Sequence, residues 1–527
     1  MTRPAHMPIP PAAGSSSALF SGADLLVKAL TANGFHVVAF NPGASEEMIA
    51  SSLERSEGMV PVLAYQELTA LGFAAGVALG SRVRRAGDGG NRVLRSAVIA
   101  HGMVGLGGMA SFITGFAQQK LPVLILVGNA GVPDDSLAKH QNPNGQLANL
   151  ARGAGCKDVI WTASAQTLMH QLKRATMTAE GGTPGPVAMV IPQNGVMNAP
   201  VPGDFLIETI PAVAYAAEPE AAAVRELAQR LSTARGPVII VGDEVARTGA
   251  VESVVRVAEL SGARVLGSMA HELCFPMDHQ QWSGSLGHLF GESARTTLAE
   301  ADCALSVGGV NVSAVFPTAD APYEPRAWVT FVGDDAVAAA SMYRNSSSPI
   351  IANPRLTMER LARQLEDSGN AGRAAEVEQR IRRIAAENLE ARQARRAAAD
   401  VQRHQVPLHA YDIAEALGDV ITELSLDKDV IILNEGLTRA QAIEDVLQPS
   451  RPGSYFSSQG GSLGYAGPMA CGIAHANPGK TVIAISGDGG FLYTPQWLLT
   501  AQENDLNVKC LIFKDDVDRT RFGGHPA

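Results

Sequence analysis

The sequence predicts an α/β protein built of three doubly wound parallel-sheet domains in series. Three observations carry that prediction. Short apolar runs alternate with helical stretches along most of the 527 residues, the order that produces parallel strands covered by helices on both faces. Glycine, at 53 residues, is about a tenth of the chain and has no three-residue period, which excludes a collagen-like chain and suits tight strand-to-helix turns. Length allows three or four domains of roughly 150 residues each, and 46% hydrophobic against 18% charged residues excludes a disordered chain.

Taken in order, residues 1–17 are rich in Pro, Ala and Ser without an apolar stretch, so they read as a disordered tail rather than a signal peptide. The first domain, 18–200, opens with a helix over Ala23–Asn33 and a strand over Phe35–Phe40, which Asn41-Pro42-Gly43 ends. A strand over Val60–Tyr65, a helix of small residues over Glu67–Gly80, and buried strands over Val93–Ala100, Leu121–Val127 and Pro186–Ile191 follow. Three prolines and no helical period over 196–215 read as a linker. The second domain, 215–370, has strands over Pro237–Val241, Arg264–Gly267, Cys303–Val307 and Trp328–Val332. A charged helical period over 371–403 predicts a solvated connecting helix. The third domain, 404–527, has strands over Val430–Leu433, Thr481–Ser486 and Cys510–Phe513.

The charge balance narrows the partners. With 42 basic and 52 acidic residues the net charge is -10, which argues against nucleic acid. Five scattered cysteines with no CxxC spacing indicate neither a zinc site nor a disulfide framework, and point to a reducing cytoplasm. No stretch of about 18 apolar residues is present, so no membrane span is expected.

Four segments carry chemistry. Gly487-Asp488-Gly489-Gly490 follows the strand TVIAIS and precedes a helical run over Gln496–Asn504. Such a turn brings backbone N–H groups to phosphate oxygens, and its aspartate is suited to a magnesium ion bridging them. After Gly489 come 24 residues, ending at Lys514-Asp515, where a second oxygen ligand would face Asp488 across adjacent strand ends. Glu67, between a strand and a helix of small residues, reads alone as a helix N-terminal acid favoured by the dipole. Poor solvation there would also raise its proton affinity and suit it to acid–base work. Gly460–Gly464 form a loop feeding a helix. His101, after a strand, and His279, in FPMDH, are each more often structural when read singly, but titrate in the range proton transfer needs. His271 and His288 read as structural or rim residues.

Together these segments resemble the thiamin diphosphate-dependent enzymes, from about Gly22 to Phe513. The resemblance implies that the three domains bind the pyrimidine, link, and bind the diphosphate. It implies Gly487, Asp488, Gly489 and Gly490 at the diphosphate, and Asp488, Asp515 and the Val517 carbonyl on Mg2+, although Lys514-Asp515 stands where the family has Asn-Asn. Glu67, near the similar NPGA loop (Asn41–Ala44), would protonate the pyrimidine N1′. Leu463 would be the wedge between the rings, and the Gly461 carbonyl would accept from the 4′-amino group. His101, His279 and LNEGLTRAQ (Leu433–Gln441) are similar to the benzoylformate decarboxylase branch, in which two histidines move protons around the bound intermediate. Ala44 falls where that branch has a serine on the substrate carboxylate, so the carboxylate site must differ. The implied reaction is non-oxidative decarboxylation of a 2-oxo acid, giving an aldehyde or, with a second carbonyl, an acyloin. An acetolactate synthase-like carboligase shares every cofactor motif, but the histidine pair and the lack of a flavin signature in 215–365 argue against it. A non-catalytic homologue is the reading from another class. The family implies a dimer or tetramer with the cofactor held between subunits. Only 12 residues follow Asp515 where the family continues for several tens, so the third domain is expected to be short at its C-terminus.

Overall fold

The structure is a computed structural model that describes residues 19–88, 94–131, 142, 145–213, 216–286, 292–309, 322–342, 346–367, 373–401, 403, 408–457 and 462–514. A two-strand antiparallel ribbon joins β1 (Phe20–Ser21) to β8 (Pro200–Val201). The first domain is a six-stranded parallel sheet of β2 (Phe35–Phe40), β3 (Val60–Leu63), β4 (Arg95–His101), β5 (Leu124–Asn129), β6 (Asp158–Trp161) and β7 (Val187–Pro192), in the order β3-β2-β4-β5-β7-β6. The central domain is a second parallel sheet of β9 (Pro237–Val241), β10 (Arg264–Gly267), β11 (Trp282–Ser285), β12 (Cys303–Val307), β13 (Trp328–Gly333) and β14 (Ile350–Ile351), in the order β11-β10-β9-β12-β13-β14. The third has β15 (Val430–Glu435), β16 (Tyr455–Ser457), β17 (Thr481–Gly487) and β18 (Val508–Phe513), in the order β16-β15-β17-β18. Central strands such as β5, β9 and β17 are apolar runs buried on both faces, as sheets covered on both sides require.

Six short strands, β1, β6, β8, β11, β14 and β16, are absent from the sequence-based assignment. They are two to four residues long, and WSGS in β11 has no apolar run to announce it. Residues 200–210, within the stretch 196–215 read as a linker, lie against the first domain. Besides the β1–β8 ribbon, Asn33 Nδ2 donates to the Glu208 carbonyl at 3.0 Å, and the Ile210 N–H donates to Asn33 Oδ1. The charged helix spans Ala374–Asp400, but it is not simply solvated. Arg380, buried, donates to the carbonyls of Ser261, Gly262, Ala234 and Arg235 at 2.7–3.2 Å. Arg395 forks onto Asp445 at 2.7 and 2.8 Å. The Arg380 guanidinium replaces its water with fixed acceptors, while Arg395 stays partly in solvent, and a charge-pattern reading registers neither contact.

The largest apolar core crosses from the first domain to the third. Helix Glu67–Asp88 packs against helix Ala466–Ala476, with Gly72 facing Pro468, Gly76 facing Met469, and Gly80 facing Ile473 and Ala476. That sequence of contacts means the helices run parallel. A Cβ on Gly76 would overlap the Met469 carbonyl, and one on Gly472 would overlap the Phe73 carbonyl, so the glycines are what allow the backbones to close. Phe112, Phe116 and Tyr465 fill the next layer, with ring centroids 4.4 and 5.5 Å from the tyrosine. No described helix is long and apolar enough to cross a membrane.

Candidate active site

The carboxyl edge of the first sheet gathers the polar groups, as crevices in parallel sheets do. Strand β2 ends at Phe40, between β3 and β4. Its following turn, Asn41 to Glu46, reaches both neighbours. On one side Asn41 Nδ2 donates to Glu67 Oε1 at 3.0 Å. Glu67 is half-buried at the start of its helix. Helix Gly102–Gln118 runs close behind it, since a Cβ on Gly108 would sit 3.3 Å from Glu67 Cβ and Cγ. On the other side His101, the last residue of β4, places Nδ1 2.8 Å from Glu46 Oε2 and 2.9 Å from Ser45 Oγ. Ser45 Oγ is also 2.7 Å from Glu46 Oε2 and 3.2 Å from the Gly128 carbonyl. Gly43 lies between, where a Cβ would overlap the His101 ring. One turn therefore orients both Glu67 and His101.

Glu46 was not among the residues singled out from the sequence. It is 1% exposed, and its Oε1 finds no partner among the described residues. In the sequence it sits in ASEEMIASSLE and reads as an acidic first turn of a helix. The available signal was a carboxylate three residues past an Asn-Pro-Gly turn. Its meaning needed a contact 55 positions away.

The third sheet holds the second half. Registers pair Gly487 with Phe513, so Asp488 and Lys514 follow neighbouring strand ends. Asp515, Val517 and Gly461 lie outside the described residues. Asp488 Oδ1 accepts from the Gly489 N–H at 2.8 Å. Gly487 and Gly489 have ordinary φ values, and among the described residues a Cβ on either would meet nothing within 4 Å. Packing by the described residues thus gives no reason for these two glycines, while close approach by an outside group does. That open turn beside an aspartate fits a diphosphate. Among the described residues no three His, Cys, Asp or Glu side chains form a metal-holding group. Leu463 is half-buried in the loop leading to helix Ala466–Ala476.

A further buried carboxylate is Glu435, the last residue of β15. It accepts from the N–H groups of Gly464, Tyr465 and Ala466 and from Ser486 Oγ. Burial pushes its carboxyl up, and these donors act in the opposite direction.

The parallel helices place the starts of the Glu67 helix and of the helix after Leu463 at the same end of one interface within the chain. Near it, Thr500 Oγ1 donates to the Leu63 carbonyl at 3.4 Å, and Tyr65 bonds Glu503. His279 is placed elsewhere among the described contacts. Its Nε2 faces Glu259 at 3.4 Å and its ring stands edge-on to Phe275. His271 Nδ1 meets Asp243 at 2.7 Å. Burial works to raise that carboxyl, but the histidine and two backbone N–H groups hold it below its ordinary value.

Three family models match the chain in order. They are "Thiamine pyrophosphate enzyme, N-terminal TPP binding domain" over 20–150, the central domain over 224–361, and the C-terminal TPP binding domain over 438–519. A catabolic acetolactate synthase from Raoultella terrigena is 26% identical over 94% of this chain and 83% of that protein. A benzoylformate decarboxylase from Pseudomonas aeruginosa is 26% identical over 92% of this chain and 84% of that protein. The crystal structure of benzoylformate decarboxylase from Polynucleobacter necessarius superposes with a TM-score of 0.75 at 20% identity, over 94% of this chain and 85% of that one. That likeness is one of fold.

Proposed function

Because the chain belongs to the thiamine pyrophosphate enzyme family, we propose that it uses thiamin diphosphate and Mg2+ to decarboxylate a 2-oxo acid without oxidation. The observation that carries this reading is the shared turn after β2, with Asn41 on Glu67 and Ser45-Glu46 on His101. When bound, the cofactor supplies a thiazolium that takes up the electron pair released with CO2. Gly487, Gly489 and Gly490 line the diphosphate and Asp488 holds the metal, with Asp515 and the Val517 carbonyl as its further ligands. Gly461 and Leu463 shape the pyrimidine side. Glu67 carries the proton that the pyrimidine exchanges, and Asn41 keeps its carboxyl turned to it. His101 moves the product proton. Its Nδ1 is fixed by Glu46 and Ser45, so exchange is assigned to Nε2. Positioned acid–base groups of this kind contribute roughly 10²- to 10⁴-fold. The partner is a small 2-oxo acid, and its carboxylate is held differently from benzoylformate because Ala44 offers no hydroxyl.

His279 is proposed as a second proton carrier, but its contact with Glu259 favours keeping a second reading. A carboligase of the acetolactate synthase type needs no histidine pair, and such enzymes are relatives at the same identity. Self-association is proposed as well. Leu492, Tyr493, Leu498 and Leu499, next to the Gly487–Gly490 turn in sequence, are all exposed, the kind of surface a second copy covers. The test is product analysis with pyruvate and with aromatic 2-oxo acids. Free aldehyde supports the decarboxylase. Acetolactate from pyruvate without free aldehyde overturns it.

A further inference from the structure

We propose that Glu435 is a positioning residue that sets the geometry of the cofactor by tying the Leu463 loop to the Asp488 turn. The proposal rests on the cofactor reading above and assigns a role to a residue that reading does not use.

Glu435 is 2% exposed and ends β15, which lies between β16 and β17. Its Oε1 accepts from Gly464 N at 2.7 Å and Tyr465 N at 3.1 Å. Its Oε2 accepts from Ala466 N at 3.3 Å and Ser486 Oγ at 3.2 Å. An ionised carboxylate has about four acceptor positions, so these four donors saturate it. Three donors belong to the segment immediately after Leu463. The fourth immediately precedes Gly487-Asp488. Ser486 Oγ divides its proton between Glu435 and the Gly487 carbonyl at 3.1 Å. The same two segments also touch directly. Thr494 Oγ1 donates to the Gly464 carbonyl at 2.7 Å, and Gly464 holds φ +95° with its Cβ position only 2.6 Å from Tyr493 Cβ.

Two consequences follow. The amides at the start of helix Ala466–Ala476 are already taken by Glu435, so a diphosphate is left to the open side of the turn at Gly487 and Gly489. And the spacing between wedge loop and metal turn is set by this side chain together with the Thr494–Gly464 bond. A glutamine in its place keeps the shape, but its NH₂ cannot accept an N–H, so one arm of the bracket is lost.

The experiment compares wild type, Glu435→Gln and Ser486→Ala. It reads the thiamin diphosphate Kd by calorimetry at fixed Mg2+, the near-ultraviolet circular dichroism of the bound cofactor at saturation, and the Tm of the cofactor-free chain. The expected result is a Kd raised at least tenfold in Glu435→Gln with changed dichroism at saturation, and a smaller change of the same sign in Ser486→Ala. A lowered Tm with wild-type Kd and dichroism makes Glu435 merely structural and overturns the proposal. If Glu435→Gln does not fold, Ser486→Ala decides, and a Kd within about twofold of wild type overturns it. A wild-type chain that binds no cofactor sinks the underlying reading and this proposal together. A wild type that binds beside an unaffected Glu435→Gln sinks this proposal alone.

Discussion

Replacing Glu46 by glutamine isolates the pair that holds His101. The carboxylate is enclosed, with Oε2 2.8 Å from His101 Nδ1 and 2.7 Å from Ser45 Oγ. The amide fills the same space but removes the charge. Ser45 keeps the Gly128 carbonyl as an alternative acceptor, so the loss falls on the histidine. A hydrogen bond to a charged group is worth about 1.5–3 kcal/mol, and about 1.4 kcal/mol is a decade in rate. Turnover of the 2-oxo acid is therefore expected to fall roughly 10- to 150-fold, with the cofactor Kd little changed because Glu46 lies on the His101 side of the turn, opposite the Asn41–Glu67 contact. The assay is steady-state decarboxylation at saturating thiamin diphosphate and Mg2+, with the Kd measured separately. A kcat within about twofold of wild type would refute the reasoning and reduce the pair to packing.

Three other outcomes are expected. Glu67→Gln abolishes turnover while leaving thiamin diphosphate binding within a few-fold, and parallel loss of binding would contradict its assigned role. Burial pushes Glu444 up to about 7, so folded chain binds more protons than unfolded between roughly pH 4.3 and 7. The stability that group contributes is present at low pH and lost as pH rises through about 7. Glu444→Gln, which still accepts from Tyr455 Oη, is thus more stable than wild type at pH 8 by at most about 4 kcal/mol, and the gap narrows toward pH 4. A pH-independent gap in urea unfolding would count against this. Gly472→Ala forces a methyl group onto the Phe73 carbonyl and to 2.6 Å from Val77 N, so an overpacking cost of about 1–3 kcal/mol or more is expected as a lowered Tm. An unchanged Tm would show that the two helices can separate cheaply.

Much of this fold is legible in the chain because its main strands are apolar runs closed by glycine or polar turns. Pro237–Val241, Arg264–Gly267 and Cys303–Val307 match the observed strands residue for residue. What escapes is whatever depends on partners distant in sequence. Strand β11 is WSGS, and it exists because β10 offers it a backbone edge. Arg380 looks like one more charge on a charged helix until four carbonyls of the central domain surround it. The same divide runs through the site. Glu67 and Asp488 stand out because each sits where a strand gives way to a helix. Glu46 and Glu435 do not, since their importance lies in what the fold brings to them. His279 has a suggestive local setting, yet its polar contacts, the Gln281 N–H at 3.2 Å and Glu259 at 3.4 Å, both belong to its own domain.

The most direct test of the central claim, that the Glu67 helix and the Gly487–Gly490 turn serve one cofactor, is calorimetric titration of the full chain with thiamin diphosphate, with and without Mg2+. Saturable, Mg2+-dependent binding is predicted, lost in Asp488→Ala and retained in Glu67→Gln. No binding at millimolar cofactor, or binding indifferent to Asp488→Ala, would contradict it.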